Sequence, residues 1–219
     1  MQTIEQMVRA LSNSGMILPP GAIGQFEIYR RFLISWNHRM NLIARGDEGK
    51  IVERHFLESV AWLRVFQFHE CATVLDLGTG AGFPRLPMSI MRPDLEMVLV
   101  DANRKKILFL KNLVEELQCP SVRLVLGRAE DLNTQLDSVD VVVSRAVSHA
   151  GNLVHWTQNI LKRPGGTLLT LKGQDIEEEI VRLEELKEKK SISDWRIFPF
   201  DPFPGVRLSK KSHMIHMSA

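Results

Sequence analysis

Residues 73–85 read TVLDLGTGAGFPR, and this stretch decides the fold. An apolar run ends in three glycines at alternate positions, Gly78, Gly80 and Gly82, and a helix is predicted to follow. Glycine has no Cβ, so the backbone of such a turn can approach a ligand closely, and the helix beyond it begins with unpaired N–H groups. The stretch therefore predicts a strand, a tight turn and a helix, with a ligand bound against the turn.

The spacing of the glycines distinguishes between kinds of ligand site. The dinucleotide fingerprint requires G-x-G-x-x-G, and Phe83 stands at the third glycine position when Gly78 is the first. An acidic residue inside the first strand, here Asp76, followed by G-x-G-x-G instead resembles the first motif of class I methyltransferases that use S-adenosylmethionine (AdoMet). An ordinary glycine-rich turn is the third interpretation, so the remainder of the chain has to distinguish the three.

The composition predicts a soluble, intracellular protein with one α/β domain and an appendage. The 219 residues are 44% hydrophobic and 25% charged, which suffices for a proper core. No run of roughly 18 apolar residues and no signal-peptide pattern occurs, so we expect a cytoplasmic protein without a membrane segment. The net charge of +2 does not by itself require nucleic acid. Cys71 and Cys119 lack metal-ligand spacing, so we expect reduced packing residues and no metal.

The hydrophobic periodicity changes near residue 70. Residues 1–70 carry apolar side chains at helical spacing and are predicted to form an N-terminal helical extension. Residues 71–219 alternate strands with helices, which is typical of a parallel sheet with crossovers, and are predicted to form the AdoMet-binding core. The predicted parallel strands are 74–77, 96–101, 121–126, 139–144 and 166–172, followed by an antiparallel pair at 195–200 and 213–217. The predicted helices include 47–68, 83–91, 103–118, 148–161 and 175–190.

Acidic residues accompany the ends of three successive predicted strands. Asp101 ends the second strand about 20 residues beyond the glycine turn, where a carboxylate can accept both hydroxyls of a ribose. A helix N-cap is the alternative role for Asp101. Ala129 and Glu130 follow the third strand, near the place of adenine in methyltransferase-like sheets. Because the carboxyl ends of these strands meet over one crevice, the pattern favours a nucleoside ligand.

Arg145 follows the fourth predicted strand, within SRAV at residues 144–147. Enzymes that methylate exocyclic amines of nucleic acids commonly carry Asn/Asp-Pro-Pro-aromatic at this place, and that tetrapeptide is absent here. A cysteine arranged for attack on a pyrimidine C5 is absent as well. An arginine donor suits a ring-nitrogen acceptor or a phosphate, and a structural ion pair is the alternative role.

Seven short motifs follow one another along the chain: WNHRMNLI, RHFLES, DLGTGAGFP, VDANRKKILFL, GRAEDL, SRAV and LKGQ. In their order and spacing they resemble the RsmG (GidB) family. Members of that family are bacterial AdoMet-dependent methyltransferases that modify guanine N7 of 16S ribosomal RNA. The resemblance implies the same reaction and a class I methyltransferase (Rossmann-like) fold with a seven-stranded, mostly parallel sheet. Arg85 departs from the family pattern, because it replaces the last glycine of Gly-Phe-Pro-Gly, and either alters helix packing or adds a cation near the crevice.

The motifs and the resemblance together imply a set of site residues. Arg145 and Lys172 are candidates for positioning the substrate, and Arg54, His55 and Lys172 for binding RNA. For His55 the alternative is a buried helix histidine, and for Lys172 a solvated strand end. The partner implied is 16S rRNA or the small ribosomal subunit, and we expect a monomer. The residues predicted to bind AdoMet are Asp76, Gly78, Gly80, Gly82, Phe83, Asp101, Ala129, Glu130 and Arg145.

Two other functions are hypotheses on the same fold. One is a nicotinamide-dependent oxidoreductase, which Phe83 in the fingerprint disfavours. The other is a non-catalytic RNA-binding module that retains the methyltransferase fold. Comparative titration with NAD(H) and AdoMet separates the first from a methyltransferase, and turnover on ribosomal substrates separates the second.

Overall fold

A computed structural model of the protein describes residues 3–134, 136–145, 147–200, 203 and 212–219. One sheet contains β1 (Thr73–Leu77), β2 (Glu96–Asp101), β3 (Val122–Leu126), β4 (Val141–Arg145), β5 (Thr167–Lys172), β6 (Asp194–Pro199) and β7 (His213–Ser218). The strand order is β3-β2-β1-β4-β5-β7-β6. The first five strands are parallel, and β7 runs antiparallel between β5 and β6. The predicted α/β class with a seven-stranded, mostly parallel sheet is confirmed.

The helices surround the sheet on both faces. They are α1 (Ile4–Asn13), α2 (Ala22–Asn37), α3 (Glu58–Val65), α4 (Arg85–Met91), α5 (Arg104–Leu117), α6 (Ala150–Thr157) and α7 (Glu177–Glu188), with 3₁₀ helices at Arg45–Lys50 and Ala129–Thr134 and a π-helix at Val52–Leu57. Local capping explains two of the helix starts. Thr3 and Gln6 form a capping box at α1, and the Asn103 side chain accepts hydrogen bonds from the Lys105 and Lys106 amides at α5.

The helix predicted at residues 47–68 is divided into three pieces. Its 3₁₀ segment, π-helix and α3 follow one another, and α3 ends at Val65. A π-helix closes hydrogen bonds from i to i+5, so its side chains advance less around the axis per residue than in an α-helix. His55, Phe56 and Leu57 are all buried in this segment. Hydrophobic periodicity near 3.6 does not predict such a turn.

The two faces of the sheet have separate hydrophobic cores. α6 and α7 cover one face through residues such as Leu153 and Leu183. The N-terminal helices, α4 and α5 cover the other face, where Phe26 and Trp62 belong to the same buried cluster as Leu99 of β2. The helical extension thus shares a core with the sheet, and the boundary at residue 70 stays a prediction.

Two further sequence expectations meet the structure here. Both cysteines are free, but Cys71 is exposed in the turn before β1, with φ of 54°, so the prediction that it packs in the interior is wrong. Cys119 is half-buried beside the first core. Within the described ranges, no helix is both long and apolar enough to cross a membrane.

Candidate active site

The glycine turn after β1 lies at the carboxyl edge of the parallel strands. Gly78, Gly80 and Gly82 have φ of +66°, +61° and +96°, which L side chains rarely adopt. Gly78 is exposed, and a Cβ there would lie 2.7 Å from Cγ2 of Val147. Gly82 is buried instead, and a Cβ there would lie 2.8 Å from the Tyr29 hydroxyl. Gly78 and Gly80 therefore face the predicted crevice, whereas Gly82 permits close packing beneath it.

Asp101 connects the glycine turn to the end of β2. Its Oδ2 accepts a hydrogen bond from the Gly80 amide at 3.0 Å, and its Oδ1 accepts one from the Asn103 amide at 2.8 Å. Lys106 Nζ lies 3.6 Å from Oδ2. The N-cap of α5 is Asn103, two residues further on, so Asp101 does not have the N-cap role considered for it. Each carboxylate oxygen keeps a second lone pair, and the ribose contact stays a prediction.

The residues predicted near adenine follow β3 on the outer side of β2. Ala129 and Glu130 begin the 3₁₀ helix Ala129–Thr134, where Glu130 is exposed and Ala129 is half-buried. The strand order β3-β2-β1 brings their turn, the Asp101 turn and the glycine turn into one row. Doubly wound sheets bind nucleosides in a crevice at this place, so a nucleoside site along this row stays a prediction.

Arg145 ends β4 on the opposite side of the glycine turn. Its Nη1 lies 2.7 Å from Oε1 of Glu58, and its guanidinium carbon lies 5.7 Å from the centroid of the Phe83 ring. The structural ion pair considered for Arg145 is therefore present, and the same side chain lies against Phe83 beside the glycine turn. Sequence reasoning missed Glu58, although it lies within the quoted RHFLES motif.

An aromatic stack forms the wall beside Arg145. The rings of His55 and Phe83 are stacked with centroids 4.8 Å apart, and Phe83 stacks on Tyr29 at 5.4 Å. Burial, assisted by the positive charge of Arg145, lowers the pKa of His55 to about 4. His55 is thus a neutral, buried histidine, as its alternative interpretation predicted, and it lies against a residue predicted to bind AdoMet.

Tyr29 was not predicted as a site residue. Its hydroxyl donates a hydrogen bond of 2.6 Å to the carbonyl of Ala81 inside the glycine turn. The only sequence signal was its place in the aromatic stripe of α2, which indicated core packing. The contact shows that a helix of the extension holds the turn in place.

The other candidate RNA contacts already have carboxylate partners. Arg54 forms an ion pair with Asp47. Lys172 Nζ lies 2.7 Å from Oε1 of Glu179 and donates a hydrogen bond to the carbonyl of Ser148. Its side chain is 15% exposed, so Lys172 is not a solvated strand end. The structure brings Arg54, His55 and Arg145 together on one face of the sheet, whereas Lys172 contacts α7 on the other face.

Asp76 is a buried carboxyl group beneath the turn. It is 1% exposed, and neither of its carboxylate oxygens has a hydrogen-bond partner. Burial raises its pKa to about 7, against the opposing charge of Arg85. Together with the glycine turn above it, an unpaired carboxylate fits a cationic ligand such as AdoMet. Among the described residues, no group of three or more His, Cys, Asp or Glu is placed to hold a metal ion.

Solved structures resemble this chain in fold. A precorrin-6Y C5,15-methyltransferase from Geobacter metallireducens superposes with a TM-score of 0.57 at 13% identity, over 81% of this chain and 90% of that one. TYW2 from M. jannaschii, solved in complex with AdoMet, gives a TM-score of 0.56 at 16% identity, over 83% of this chain and 78% of that one. At these identities the likeness concerns the class I methyltransferase fold.

Sequence relatives identify the family. A protein named Ribosomal RNA small subunit methyltransferase G from Thermoanaerobacter sp. (strain X514) is 34% identical over 193 residues, covering 86% of this chain and 80% of the relative. One of the same name from Staphylococcus aureus (strain JH9) is 36% identical over 192 residues, covering 87% and 79%. The GidB family model, described as rRNA small subunit methyltransferase G, matches residues 22–200. This chain therefore belongs to the GidB family.

Proposed function

We propose that this protein transfers a methyl group from AdoMet to N7 of a guanine in small-subunit (16S) ribosomal RNA. Membership of the GidB family supports the class of reaction and substrate. The observation that carries the proposal is the row of turns after β1, β2 and β3, which faces Arg145 at the end of β4. Such a row suits an adenosyl ligand whose reactive end lies toward β4.

AdoMet, when bound, supplies an electrophilic methyl group on a sulfonium centre. The residues that would hold it are Gly78, Gly80 and Phe83 at the turn, Asp101 at the ribose, Ala129 and Glu130 at the adenine, and Arg145 beside the crevice. Asp76 would contribute negative charge from below. Gly82 would act through the packing that lets the turn form, since it is buried against Tyr29 and Leu86.

The proposed reaction depends on the orientation of AdoMet and guanine more than on proton transfer. Guanine N7 carries a free lone pair at neutral pH, so no general base has to remove a proton from it. The neutral His55 is consistent with this, because a group with a pKa of about 4 exchanges no proton near pH 7. Holding the two reacting atoms in line can lower the activation barrier of the methyl transfer by on the order of 7 kcal/mol.

The substrate proposal includes a distorted or single-stranded target. N7 lies on the major-groove edge of guanine, and this edge is inaccessible to side chains in A-form RNA. Arg54 and Lys172 are the proposed RNA contacts, with Arg145 and Lys172 positioning the base, whereas His55, whose ring nitrogens are buried, supports Phe83 instead. Since Arg54, Arg145 and Lys172 each have a carboxylate partner, binding a phosphate would exchange one ion pair for another.

The proposal is tested by incubating the protein with labelled AdoMet and small ribosomal subunits from a strain that lacks this methylation. We expect one methyl group per subunit, and chemical cleavage specific for 7-methylguanine should locate it. Naked 16S rRNA and large subunits serve as comparison substrates. Incorporation into protein, into another base atom, or into no RNA while the protein remains folded would contradict the proposal.

We further propose that the enzyme acts in the cytoplasm as a monomer. A ribosomal substrate requires that location in a bacterium, and the site described above is built from one chain. Light scattering during size-exclusion chromatography should give the mass of a single chain of 25.0 kDa. A stable dimer would contradict this part of the proposal and leave the chemistry untouched.

A further inference from the structure

Arg85 is a charged side chain in the interior of the protein. It lies in the first turn of α4 and is 0% exposed. Its guanidinium carbon lies 5.5 Å from the centroid of the Phe68 ring, and its Nη1 lies 3.2 Å from Sδ of Met88. Its Nε and Nη2 have no hydrogen-bond partner. A buried guanidinium is unfavourable unless a charge compensates it, so Arg85 needs an explanation.

Asp76 supplies the compensating charge. It lies in the middle of the sheet, where β1 pairs with β2 and β4, and it is 1% exposed. By hydrogen-bond geometry its two oxygens are unpaired, although the nearby Thr79 hydroxyl helps to lower the pKa of Asp76. Within the described ranges, Arg85 has no carboxylate within 4 Å, so the two charges attract through the interior without a direct ion pair. Low-dielectric surroundings make such an attraction stronger than in water.

Other charged and titratable groups face Asp76 from the neighbouring elements. Arg145 on β4 stabilises the ionised carboxylate, and Asp101 on β2 opposes it. Tyr29 on α2 stays protonated, since burial raises its pKa well above the usual value. Arg145 shares its charge with Glu58. Arg85 has no such carboxylate partner among the described residues, so its charge acts on Asp76 more strongly than that of Arg145.

We propose that Arg85 is a positioning residue of the AdoMet site, whose buried charge keeps Asp76 ionised beneath the glycine turn so that Asp76 attracts the positively charged AdoMet. This inference rests on the AdoMet part of the proposed function. It gives a role to the cation that replaces a glycine of the family pattern. The methyl transfer itself involves neither side chain directly.

The proposal has a consequence for pH dependence. Burial raises the pKa of Asp76 to about 7, and Arg85 keeps it from rising further. A positively charged ligand binds the ionised form better, so AdoMet binding should release a proton from Asp76 and strengthen as pH rises from 6 to 8. Removing Arg85 should raise the pKa of Asp76 again, so affinity at pH 7 falls and recovers at higher pH. Because Asp76 is about half ionised at pH 7, a rise of about one pKa unit corresponds to about a fivefold loss of affinity there.

Calorimetric titration of AdoMet provides the test without RNA. For the wild-type protein at pH 6.5, repeating the titration in buffers of different ionisation enthalpy should reveal proton release on binding. The Arg85→Met variant keeps the unbranched stem and should bind AdoMet about fivefold more weakly at pH 7, with most of the loss recovered by pH 8.5. Titration of the ligand itself is common to all variants and cancels in these ratios. Arg85→Lys should restore most of the affinity.

Two further variants separate charge from packing. Asp76→Asn should weaken binding and remove the pH dependence, and adding Arg85→Met to it should change the affinity by less than about twofold, because the two effects are coupled. Arg92→Met is the matched control. Arg92 follows the other end of α4 and pairs with Asp94 at 2.6 Å, so its loss should leave AdoMet binding unchanged.

Several outcomes would overturn the proposal. A loss in Arg85→Met that is equal at every pH would assign Arg85 a packing role only. Unchanged AdoMet affinity in Arg85→Met, or additive effects in the double variant, would also overturn the proposal. If Arg85→Met does not fold, the calorimetric titration of the wild-type protein remains a test. Absence of proton release on AdoMet binding at pH 6.5 would then overturn the proposal. Failure of the wild-type protein to bind AdoMet at any pH would instead overturn the proposed function as well.

Discussion

Tyr29 illustrates how single side chains hold the glycine turn. Its hydroxyl donates to the carbonyl of Ala81, and its ring lies 5.4 Å from Phe83 and 5.1 Å from Phe56. Because burial keeps the phenol protonated, this donor is present throughout the physiological pH range. Gly82 lies directly against the hydroxyl, so the turn and the helix fit only when that position has no side chain.

Replacing Gly82 by alanine should therefore destabilise the protein. The added Cβ would meet Leu86 and Tyr29, and φ of +96° is strained for alanine, so we expect a loss of about 3 kcal/mol in the free energy of unfolding. Gly24→Ala is the control, because that position in α2 is open and should gain roughly 0.5–1 kcal/mol. Urea unfolding measures both. Similar stabilities for the two variants would contradict this account of the turn.

His55 should make the protein sensitive to acid. Its pKa is about 4 in the folded protein and near 6.5 in an unfolded chain, so the unfolded state binds more protons between these values. The free energy of unfolding should fall as pH drops from 6.5 to 4, with roughly 3 kcal/mol attributable to this group. Above pH 6.5 the group makes no such contribution to the slope.

Urea unfolding at several pH values, with His55→Gln beside the wild-type protein, measures this contribution. The variant should lose part of the acid slope. Leu57→Ala in the same π-helix removes a fully buried side chain and should lower stability equally at every pH. Identical acid slopes for the wild-type and His55→Gln proteins would refute the assignment.

At the scale of elements, one carboxylate joins α6, α7 and β5. Glu179 of α7 accepts a hydrogen bond of 2.8 Å from the Ala150 amide at the start of α6 and lies 2.7 Å from Lys172 at the end of β5. His149 Nδ1 lies 3.1 Å from the same carboxylate. Although burial opposes ionisation, these partners hold the pKa of Glu179 below its usual value. The end of β5 is thereby fixed against α6 and α7.

Lys172→Ala should weaken RNA modification more than AdoMet binding. We expect the KM for ribosomal subunits to rise about fivefold, since one cation near the RNA is lost, while the Kd for AdoMet changes by less than about twofold. Glu179→Gln is the matched control, because it loosens the same junction yet keeps the lysine charge. Equal losses of both measured affinities in Lys172→Ala, or an equal rise in KM for Glu179→Gln, would reject an RNA role for Lys172.

At the scale of the whole molecule, the helical extension and the sheet have a common interior. Phe26, Phe56 and Trp62 are fully buried in the cluster that contains Val74 and Leu99 of the sheet. A sheet face without these helices would expose a continuous apolar surface to water. The extension is thus part of what stabilises the AdoMet site.

The full chain should consequently unfold in one cooperative transition. Differential scanning calorimetry should give equal calorimetric and van't Hoff enthalpies, as expected for a two-state unit. A fragment of residues 71–219 should show no cooperative transition, because it lacks the Tyr29 contact and the cover of one sheet face. Two transitions in the full chain, or a cooperative fragment, would show that the sheet folds by itself.

The sequence by itself determined the features that depend on local patterns. Alternating glycines predicted the turn, the change of periodicity predicted the sheet, and the order of short motifs predicted the GidB family, which the family match confirms. Helix boundaries were less well predicted, and the π-helix at Val52–Leu57 was missed, because an i to i+5 turn leaves no distinct periodicity over six residues.

Only the tertiary structure decided which charges meet. Arg145 and Glu58 are 87 residues apart, and their pairing follows from the packing of α3 against the sheet. The burial of Arg85 beside Asp76 likewise depends on where α4 begins relative to β1, so the sequence left its role open between helix packing and a cation near the crevice. Pairing and burial depend on contacts between segments that are distant in the sequence, so a local sequence pattern does not predict them.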